Sequence, residues 1–204
     1  WAIPNINTAY GMGIINGYED GTFRPSDNVA YEEAIKMIVC TLGYGKDIDI
    51  SVAPWYTNFV GQAARLGITE HTGTLGAAET PASRACIAQM LFDSLDIKLV
   101  EQEKVTEKTI LTDYLGYIKN TGVIASDGVT SLTSPDVNLR DNEIQIYAKE
   151  PSSNIYETHT YSASDTSFKQ YLGYQVEYYY SNKSGDVRTL ALCILKDNSE
   201  ITLN

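Results

Sequence analysis

Side chains that could perform chemistry are few in this chain and widely separated. Its 204 residues include two histidines, His71 and His159, and three cysteines, Cys40, Cys86 and Cys193. Three cysteines without a Cys-x-x-Cys pair indicate neither a disulfide framework nor a zinc site. No Gly-x-Ser-x-Gly, His-Glu-x-x-His or phosphate-loop motif occurs. The sequence therefore predicts a protein that is not an enzyme and that uses no metal or cofactor.

The acidic run Glu19-Asp20-Gly21 raises the question of calcium binding. A calcium loop of the EF-hand type places carboxylates at alternate positions, and that alternation is missing here. The run instead predicts a plain turn, after which an extended stretch ends at Pro25.

Composition indicates an acidic chain that folds. Hydrophobic residues make up 43% of it, and 26 acidic against 15 basic residues give a net charge of -11. Phosphate contacts need clustered cations, so this balance argues against nucleic-acid or anionic-membrane partners. No apolar run reaches the roughly 18 residues that a membrane-spanning helix needs. The length allows one large domain or two small ones.

An internal repeat organises the first half. Residues 1–14 align with residues 55–68, and residues 37–42 align with residues 90–95 after a loop that is one residue shorter. Apolar residues recur at helical spacing in all four segments, so each repeat predicts a helix, a loop and a second helix. Neither repeat can bury its apolar stripe alone.

The loop of the first repeat carries a family resemblance. Gly13-Ile-Ile-Asn-Gly-Tyr-Glu-Asp-Gly-Thr-Phe-Arg-Pro25, followed by Val29-Ala-Tyr-Glu-Glu33, resembles the S-layer homology (SLH) repeat. The family pattern is G-I-I-x-G-Y-x-D-G-T-F-x-P and then T-R-A-E at a helix start. The second repeat keeps a tryptophan, a Gly-Ile pair and a Ser83-Arg-Ala-Cys86 version of T-R-A-E, with His71-Thr-Gly-Thr-Leu-Gly76 in place of the loop.

The resemblance implies a non-catalytic, extracellular protein of a Gram-positive, clostridia-like bacterium. SLH repeats usually occur in threes around a pseudo-threefold axis, and their grooves bind a pyruvylated secondary cell-wall polysaccharide. The arginine of T-R-A-E, here Arg84, holds the pyruvate carboxylate, which the planar guanidinium can grip with paired hydrogen bonds. The candidate polysaccharide groove consists of Arg84, Ser83, Tyr31, Glu33, Trp1 and Trp55.

Several candidates have a second interpretation. Tyr31 stands where the first repeat should carry the arginine, and the acidic pair that follows it would repel an anion. Arg84 is equally consistent with an ion pair that fixes the start of its helix. Trp1 and Trp55 are favoured as core anchors over platforms for a sugar ring.

The second half predicts β-structure. Strands rich in β-branched and aromatic residues are separated by turn signals. The predicted strands are 122–125, 143–147, 155–161, 171–180, 188–195 and 200–203. They indicate a small antiparallel barrel or sandwich. The abundant tyrosines are favoured as ordinary strand residues over a binding surface for sugars or proteins.

The predicted fold class is therefore α+β, with all-α tandem SLH repeats followed by a β-rich domain. The predicted boundaries are an amino-terminally incomplete repeat at 1–46, a divergent repeat at 47–98, a linker at 99–108 and the β-rich domain at 109–204. The first functional hypothesis is attachment to the cell wall through anionic polysaccharide. The second is a surface-layer, protein or glycan interaction protein, in which the SLH part is structural and the β domain binds the partner. The third is the anchoring end of a larger surface enzyme.

Overall fold

The chain folds into two compact units, Trp1–Tyr114 and Leu115–Asn204. A computed structural model describes residues 2–18, 20–135, 137–184 and 187–200. Within those ranges the first unit is mainly helical and the second is built on one five-stranded sheet. Helices and strands are thus segregated along the chain, as the α+β class requires. Trp1 lies outside the described residues, as do the last residues of the predicted strand 200–203.

The helices of the first unit follow the sequence repeat. They are α1 (Ile3–Gly11), α2 (Tyr31–Thr41), α3 (Thr57–Leu66) and α4 (Arg84–Ser94). The helices α2 and α4 begin and end at aligned residues, and α1 and α3 begin at aligned residues. Equivalent sequence therefore forms equivalent local structure in both halves of the repeat.

The first helix of each repeat also ends in the same way. Gly13 and Gly67 adopt the left-handed conformation, with φ of 71° and 80°, which glycine reaches without a steric penalty. The amides of Ile14 and Ile68 then donate to an alanine carbonyl in the last helical turn, at 2.9 and 3.0 Å. These bonds satisfy carbonyls that the helix leaves free and turn the chain away from the helix axis.

The core of the helical unit is centred on α2. This helix buries Ile35 and Val39, and its C-cap residue Leu42 is buried as well. Phe59 from α3 and Met90 from α4 complete the same apolar cluster. The helix α1 contributes no buried side chain. The α2 stripe is therefore covered by later elements of the chain.

Residues 99–108, expected to be a linker, fold as part of the helical unit. They form a hairpin of β1 (Val100–Glu101) and β2 (Lys104–Val105). Leu99 is buried in the helical core, and the Val100 amide donates to the carbonyl of Leu42 at 2.9 Å. The apolar side chain and this hydrogen bond hold the segment in place, and the first unit continues through a turn of π-helix at Ile110–Tyr114.

The second unit is a closed barrel. Its strands are β3 (Ile118–Ser126), β4 (Glu143–Lys149), β5 (Tyr156–Ala163), β6 (Tyr174–Ser184) and β7 (Val187–Glu200), with a 3-10 turn at Ser167–Tyr171. The strand order is β3-β4-β5-β7-β6, and β6 pairs with β3. Each of the five barrel strands therefore has a neighbour on both sides, which leaves no open edge in the barrel.

The sheet is mixed, which corrects the expectation of an antiparallel arrangement. Four of the pairings are antiparallel, whereas β5 and β7 run parallel, with Tyr161 beside Arg188. The reason is topological: five strands that alternate in direction cannot form a closed ring without one parallel pair. None of the helices in the described part of the chain combines the length and the apolar character needed to cross a membrane.

Candidate functional site

The starts of α2 and α4 meet at a short antiparallel bridge. Ala30 pairs with Pro81, and the amide of Ala82 donates to the carbonyl of Val29 at 2.8 Å. Both helices begin one or a few residues after these bridge residues. We refer to residues 29–33 and 80–84 together as the paired helix starts. Four of the six sequence-predicted site residues lie in them.

The α4 half of the paired helix starts carries an exposed arginine, Arg84. Ser83 is the N-cap of α4, and its hydroxyl oxygen accepts a hydrogen bond from the Cys86 amide at 3.1 Å. Arg84 follows as the first helical residue and is exposed. Within the described ranges no carboxylate pairs with Arg84. The described residues therefore do not support the interpretation of Arg84 as half of a structural ion pair.

The α2 half holds its acidic side chains by internal hydrogen bonds. The Glu33 carboxylate accepts from the Ala30 amide at 2.8 Å and from the Tyr18 hydroxyl at 3.2 Å. Its negative charge raises the pKa of the Tyr18 phenol. Glu32 is buried and accepts from the Glu79 amide at 2.6 Å. Both carboxylates thus have structural roles, and Glu33 has neither oxygen free of a protein donor.

Tyr31 lies at the boundary between the core and the surface. Its ring packs against the helical core while the residue stays half-buried. Its amide donates to the Thr80 carbonyl at 3.3 Å, which ties the residue to the opposite side of the bridge. A Cβ on Gly76 would come within 3.0 Å of the Tyr31 ring, so the 76–80 loop packs closely on it.

The acidic turn of the first repeat is closed by its own side chains. Asp20 accepts from the amide and the hydroxyl of Thr22, at 3.0 and 2.7 Å, and forms an ion pair with Arg24 at 2.6 Å. These contacts, led by the Thr22 hydroxyl, lower the pKa of the Asp20 carboxyl. The Arg24 guanidinium also lies 4.4 Å from the centre of the Tyr18 ring. Among the described residues no group of three or more His, Cys, Asp or Glu could hold a metal ion.

Trp55 is neither fully buried nor at the paired helix starts. Its side chain is 41% exposed. The ring meets Tyr56 and Phe59 edge-on, with centroid distances of 5.6 and 6.2 Å. Phe59 is buried, so the indole covers the end of the helical core and keeps one part of its surface in solvent.

Asp93 has a buried carboxylate that no sequence motif singles out. Its Oδ1 atom accepts from the Gln89 amide group at 2.9 Å and lies 3.1 Å from Nδ1 of His71. Its Oδ2 atom is buried and accepts no hydrogen bond from any residue that the structure describes. His71 and Asp93 are 22 residues apart in sequence, and no motif joins them, so only the folded chain brings them together.

The barrel interior holds a second polar cluster that the sequence analysis missed. Nη2 of Arg188 lies 2.8 Å from Oε2 of Glu150, and Nε2 of His159 lies 2.9 Å from the same oxygen. Nη1 of Arg188 donates to the Tyr161 hydroxyl at 3.4 Å, and that hydroxyl is 3.1 Å from the hydroxyl of Tyr178. Burial lowers the pKa of Arg188, but the bonds to Tyr161 and Glu150 outweigh it and raise the pKa. The cluster is internally paired, which indicates a structural role.

Comparison with known proteins finds a family similarity in the helical unit. Residues 1–35 match the model of the S-layer homology domain. The resemblance to the SLH family is confirmed for this segment. The match covers the first repeat as far as the beginning of α2.

Three relatives extend the similarity. A middle cell wall protein of Brevibacillus brevis is 32% identical over 123 residues, which is 56% of this chain and 11% of that protein. A surface layer protein of Brevibacillus choshinensis is 31% identical over 123 residues, which is 56% of this chain and 10% of that protein. A cell surface protein of Thermoanaerobacter kivui is 26% identical over 186 residues, which is 91% of this chain and 22% of that protein. The chain thus spans less than a quarter of the length of each of these relatives.

These comparisons indicate an extracellular, cell-wall location for the chain. The names of the relatives are those of wall and surface proteins and not of enzymes. No solved structure matches the chain.

Proposed function

We propose that the helical unit attaches this protein to the cell wall by binding a pyruvylated secondary cell-wall polysaccharide. In this proposal residues 1–46 and 47–98 are tandem SLH repeats. The observation that carries the site is the exposed Arg84 at the start of α4, which has no carboxylate partner among the described residues. The SLH match and the wall-protein relatives support the wall as the place of attachment.

The chemistry of the paired helix starts suits a carboxylate ligand. The Arg84 guanidinium can donate two parallel hydrogen bonds to one carboxylate. The first turn of α4 adds amides that no helical carbonyl can satisfy and the positive end of the helix dipole. The Ser83 hydroxyl, whose oxygen already accepts from Cys86, can still donate its proton to a ligand. Tyr31, across the bridge, offers one further hydroxyl.

The overall charge of the protein limits what this site can do. A net charge of -11 repels an anionic polymer at long range. Attraction must therefore come from close contacts, and Arg84 is the unpaired cation that the paired helix starts provide. We expect each site to bind weakly and to depend strongly on this one side chain.

Substituting Arg84 tests the proposal. We expect Arg84→Ala to weaken retention of the chain on purified pyruvylated sacculi by about tenfold, within the range for a hydrogen bond to a charged group. Arg84→Lys should recover only part of the binding, because an ammonium group lacks the planar fork. Co-sedimentation over a range of sacculus concentrations measures these affinities.

A matched control is available on α3. Arg65 is an exposed arginine whose guanidinium donates to Gln62 at 2.8 Å, and Arg65→Ala should leave retention unchanged. The proposal is wrong if Arg65→Ala costs as much as Arg84→Ala. It is equally wrong if sacculi stripped of pyruvate retain the unaltered chain as well as pyruvylated sacculi do.

A second candidate function is partner binding by the β unit. The rings of Tyr147 and Tyr156 stack at a centroid distance of 5.5 Å on neighbouring strands, and Tyr156 is 59% exposed. Nearby, Thr158 donates to Thr133 at 3.0 Å. Exposed aromatic rings flanked by hydroxyls suit a glycan or protein surface.

Substituting Tyr156 separates the two candidates. If the β unit is the attachment site, we expect Tyr156→Ala to abolish most retention of the chain on sacculi. The Arg84→Ala variant should then bind sacculi as well as the unaltered chain does. If the helical unit is the attachment site, the two variants should show the opposite pattern. The same co-sedimentation assay measures both.

A further inference from the structure

Glu32 is a buried acid at a position where the repeat carries a small residue. It aligns with Ala85 of the second repeat and with the alanine of the T-R-A-E pattern. Ala85 is exposed, whereas Glu32 is only 5% exposed. A carboxylate is rarely buried unless a donor compensates the loss of its hydration. The contact that Glu32 makes is therefore specific to this repeat and not a general feature of the helix start.

The donor to Glu32 belongs to the second repeat. The Glu79 amide, 47 residues away in sequence, donates to Oε1 of Glu32 at 2.6 Å. Glu79 has a φ of 62°, a left-handed conformation that is unfavourable for a residue with a side chain. Hydrogen bonds to an ionised carboxylate are stronger than those to a neutral acceptor. The Glu32 carboxylate thus stabilises a backbone conformation that Glu79 alone would not favour.

This hydrogen bond fastens the segment that leads into Arg84. The two backbone hydrogen bonds across the paired helix starts hold residues 80 and 82 against the beginning of α2, and the Glu32 bond holds Glu79 beside them. Of these three bonds, the Glu32 bond is the one that a side chain makes, so it is the one that residue type decides. Arg84 begins α4 two residues after this fastened stretch.

We propose that Glu32 is a positioning residue for Arg84, because it fixes the 79–82 segment from which α4 and its first side chain start. This inference rests on the proposed binding of polysaccharide through Arg84. Within the described ranges Glu32 and Arg84 form no ion pair with each other, so Glu32 can place the cation without occupying it. The Glu32 carboxylate is buried against an amide, which also separates its charge from an anionic ligand at the surface.

Two substitutions separate the hydrogen bond of Glu32 from its charge. Glu32→Ala removes the acceptor and should weaken retention on pyruvylated sacculi by about threefold to tenfold, the range for one hydrogen bond. Glu32→Gln keeps an oxygen that can accept from the Glu79 amide and should keep most of the retention. If the charge mattered more than the bond, both variants would bind better than the unaltered chain, because each removes a negative charge near an anion site.

A matched control removes the same charge elsewhere in the helical unit. Glu107 is 88% exposed and pairs with Lys98 at the surface, and Glu107→Ala should leave retention unchanged. Co-sedimentation measures retention at a temperature at which tryptophan fluorescence shows every variant to be folded. A loss of retention then reports on the site and not on the fraction of unfolded chain.

A double-variant cycle shows whether Glu32 acts through Arg84. In the Arg84→Ala background, Glu32→Ala should cause no further loss of retention, because the side chain that it positions is gone. A second route uses Glu79→Gly, since glycine adopts the left-handed conformation without a steric penalty. Glu32→Ala combined with Glu79→Gly should recover part of the retention that Glu32→Ala loses.

Amide hydrogen exchange tests the positioning without any ligand. We expect the amides of residues 79–84 to exchange at least about tenfold faster in Glu32→Ala than in the unaltered chain. The amides in the middle of α2 should exchange at an unchanged rate, because the core around them is intact. Glu32→Gln should show a much smaller increase at residues 79–84.

The two measurements can fail separately. Unchanged exchange at residues 79–84 in Glu32→Ala overturns the positioning role, whatever Arg84 binds. Equal losses of retention from Glu32→Ala with and without Arg84 overturn it as well, because Glu32 would then act independently of the arginine. If Arg84→Ala itself leaves retention unchanged, the polysaccharide proposal is wrong, and the exchange result still decides whether Glu32 holds the segment.

Discussion

Arg188→Ala is expected to lower the free energy of unfolding of the β unit by about 3 kcal/mol. The guanidinium is paired with Glu150 at 2.8 Å, and the two side chains are only 22% and 14% exposed. Removing the cation leaves a largely buried carboxylate, whose desolvation is then poorly compensated. We place the cost at the lower end of the range for buried pairs because His159 remains 2.9 Å from the same oxygen.

The two units can be followed separately in this measurement. Both tryptophans, Trp1 and Trp55, belong to the helical unit, so tryptophan fluorescence reports on that unit in a urea titration. Near-ultraviolet circular dichroism of the buried tyrosines reports on the barrel. In the Arg188→Ala variant, the urea midpoint of the tyrosine signal should fall. The midpoint of the tryptophan signal should stay unchanged.

Two further variants test the cause of the loss. Arg140→Ala removes an 83% exposed arginine that lies 3.9 Å from Glu143, and should cost less than about 0.5 kcal/mol. The double variant Arg188→Met with Glu150→Leu should recover much of the stability, since it leaves no buried charge. If the double variant is as unstable as Arg188→Ala, uncompensated charge is not the cause.

Gly122→Ala is expected to destabilise the barrel by about 2–3 kcal/mol, near the top of the range for overpacking. A Cβ at this position would lie 2.7 Å from both Ile146 Cγ2 and the carbonyl oxygen of Tyr147, and 2.8 Å from Ala148 Cβ. The carbonyl belongs to the paired strand β4, so it cannot move without disturbing the ladder. Urea unfolding followed by the tyrosine signal measures the change.

The matched glycine is Gly61 in the middle of α3. A Cβ there would meet no atom within 4 Å, and alanine is the better helix former. Gly61→Ala should therefore stabilise the helical unit by about 0.5–1 kcal/mol. If the Gly122→Ala barrel is as stable as the unaltered one, β3 and β4 can move apart at this position at no cost, and the prediction is wrong.

The sequence by itself determined the local structure of the helical unit. Periodic apolar residues placed the helices, and the aligned Gly13 and Gly67 allow the left-handed turn that ends the first helix of each repeat. Ser83 is the N-cap of α4, a role that its hydroxyl side chain favours. These signals act over one or two helical turns, so they are readable without knowing what packs against what. The resemblance to the SLH family, carried by the loop before Pro25, is confirmed for residues 1–35 by the same kind of local pattern.

Tertiary structure alone decided which side chains meet. The sequence predicts that the acidic pair after Tyr31 repels an anion. In the fold, Glu32 instead accepts from the distant Glu79 amide, and Glu33 accepts from the nearby Ala30 amide and the distant Tyr18 hydroxyl. The parallel pairing of β5 with β7 follows from ring closure, a property of all five strands together. Arg188 and Glu150 come from segments with no local motif in common. Such contacts depend on long-range pairing, and that pairing is set by the burial of whole strands and helices, which short sequence patterns do not encode.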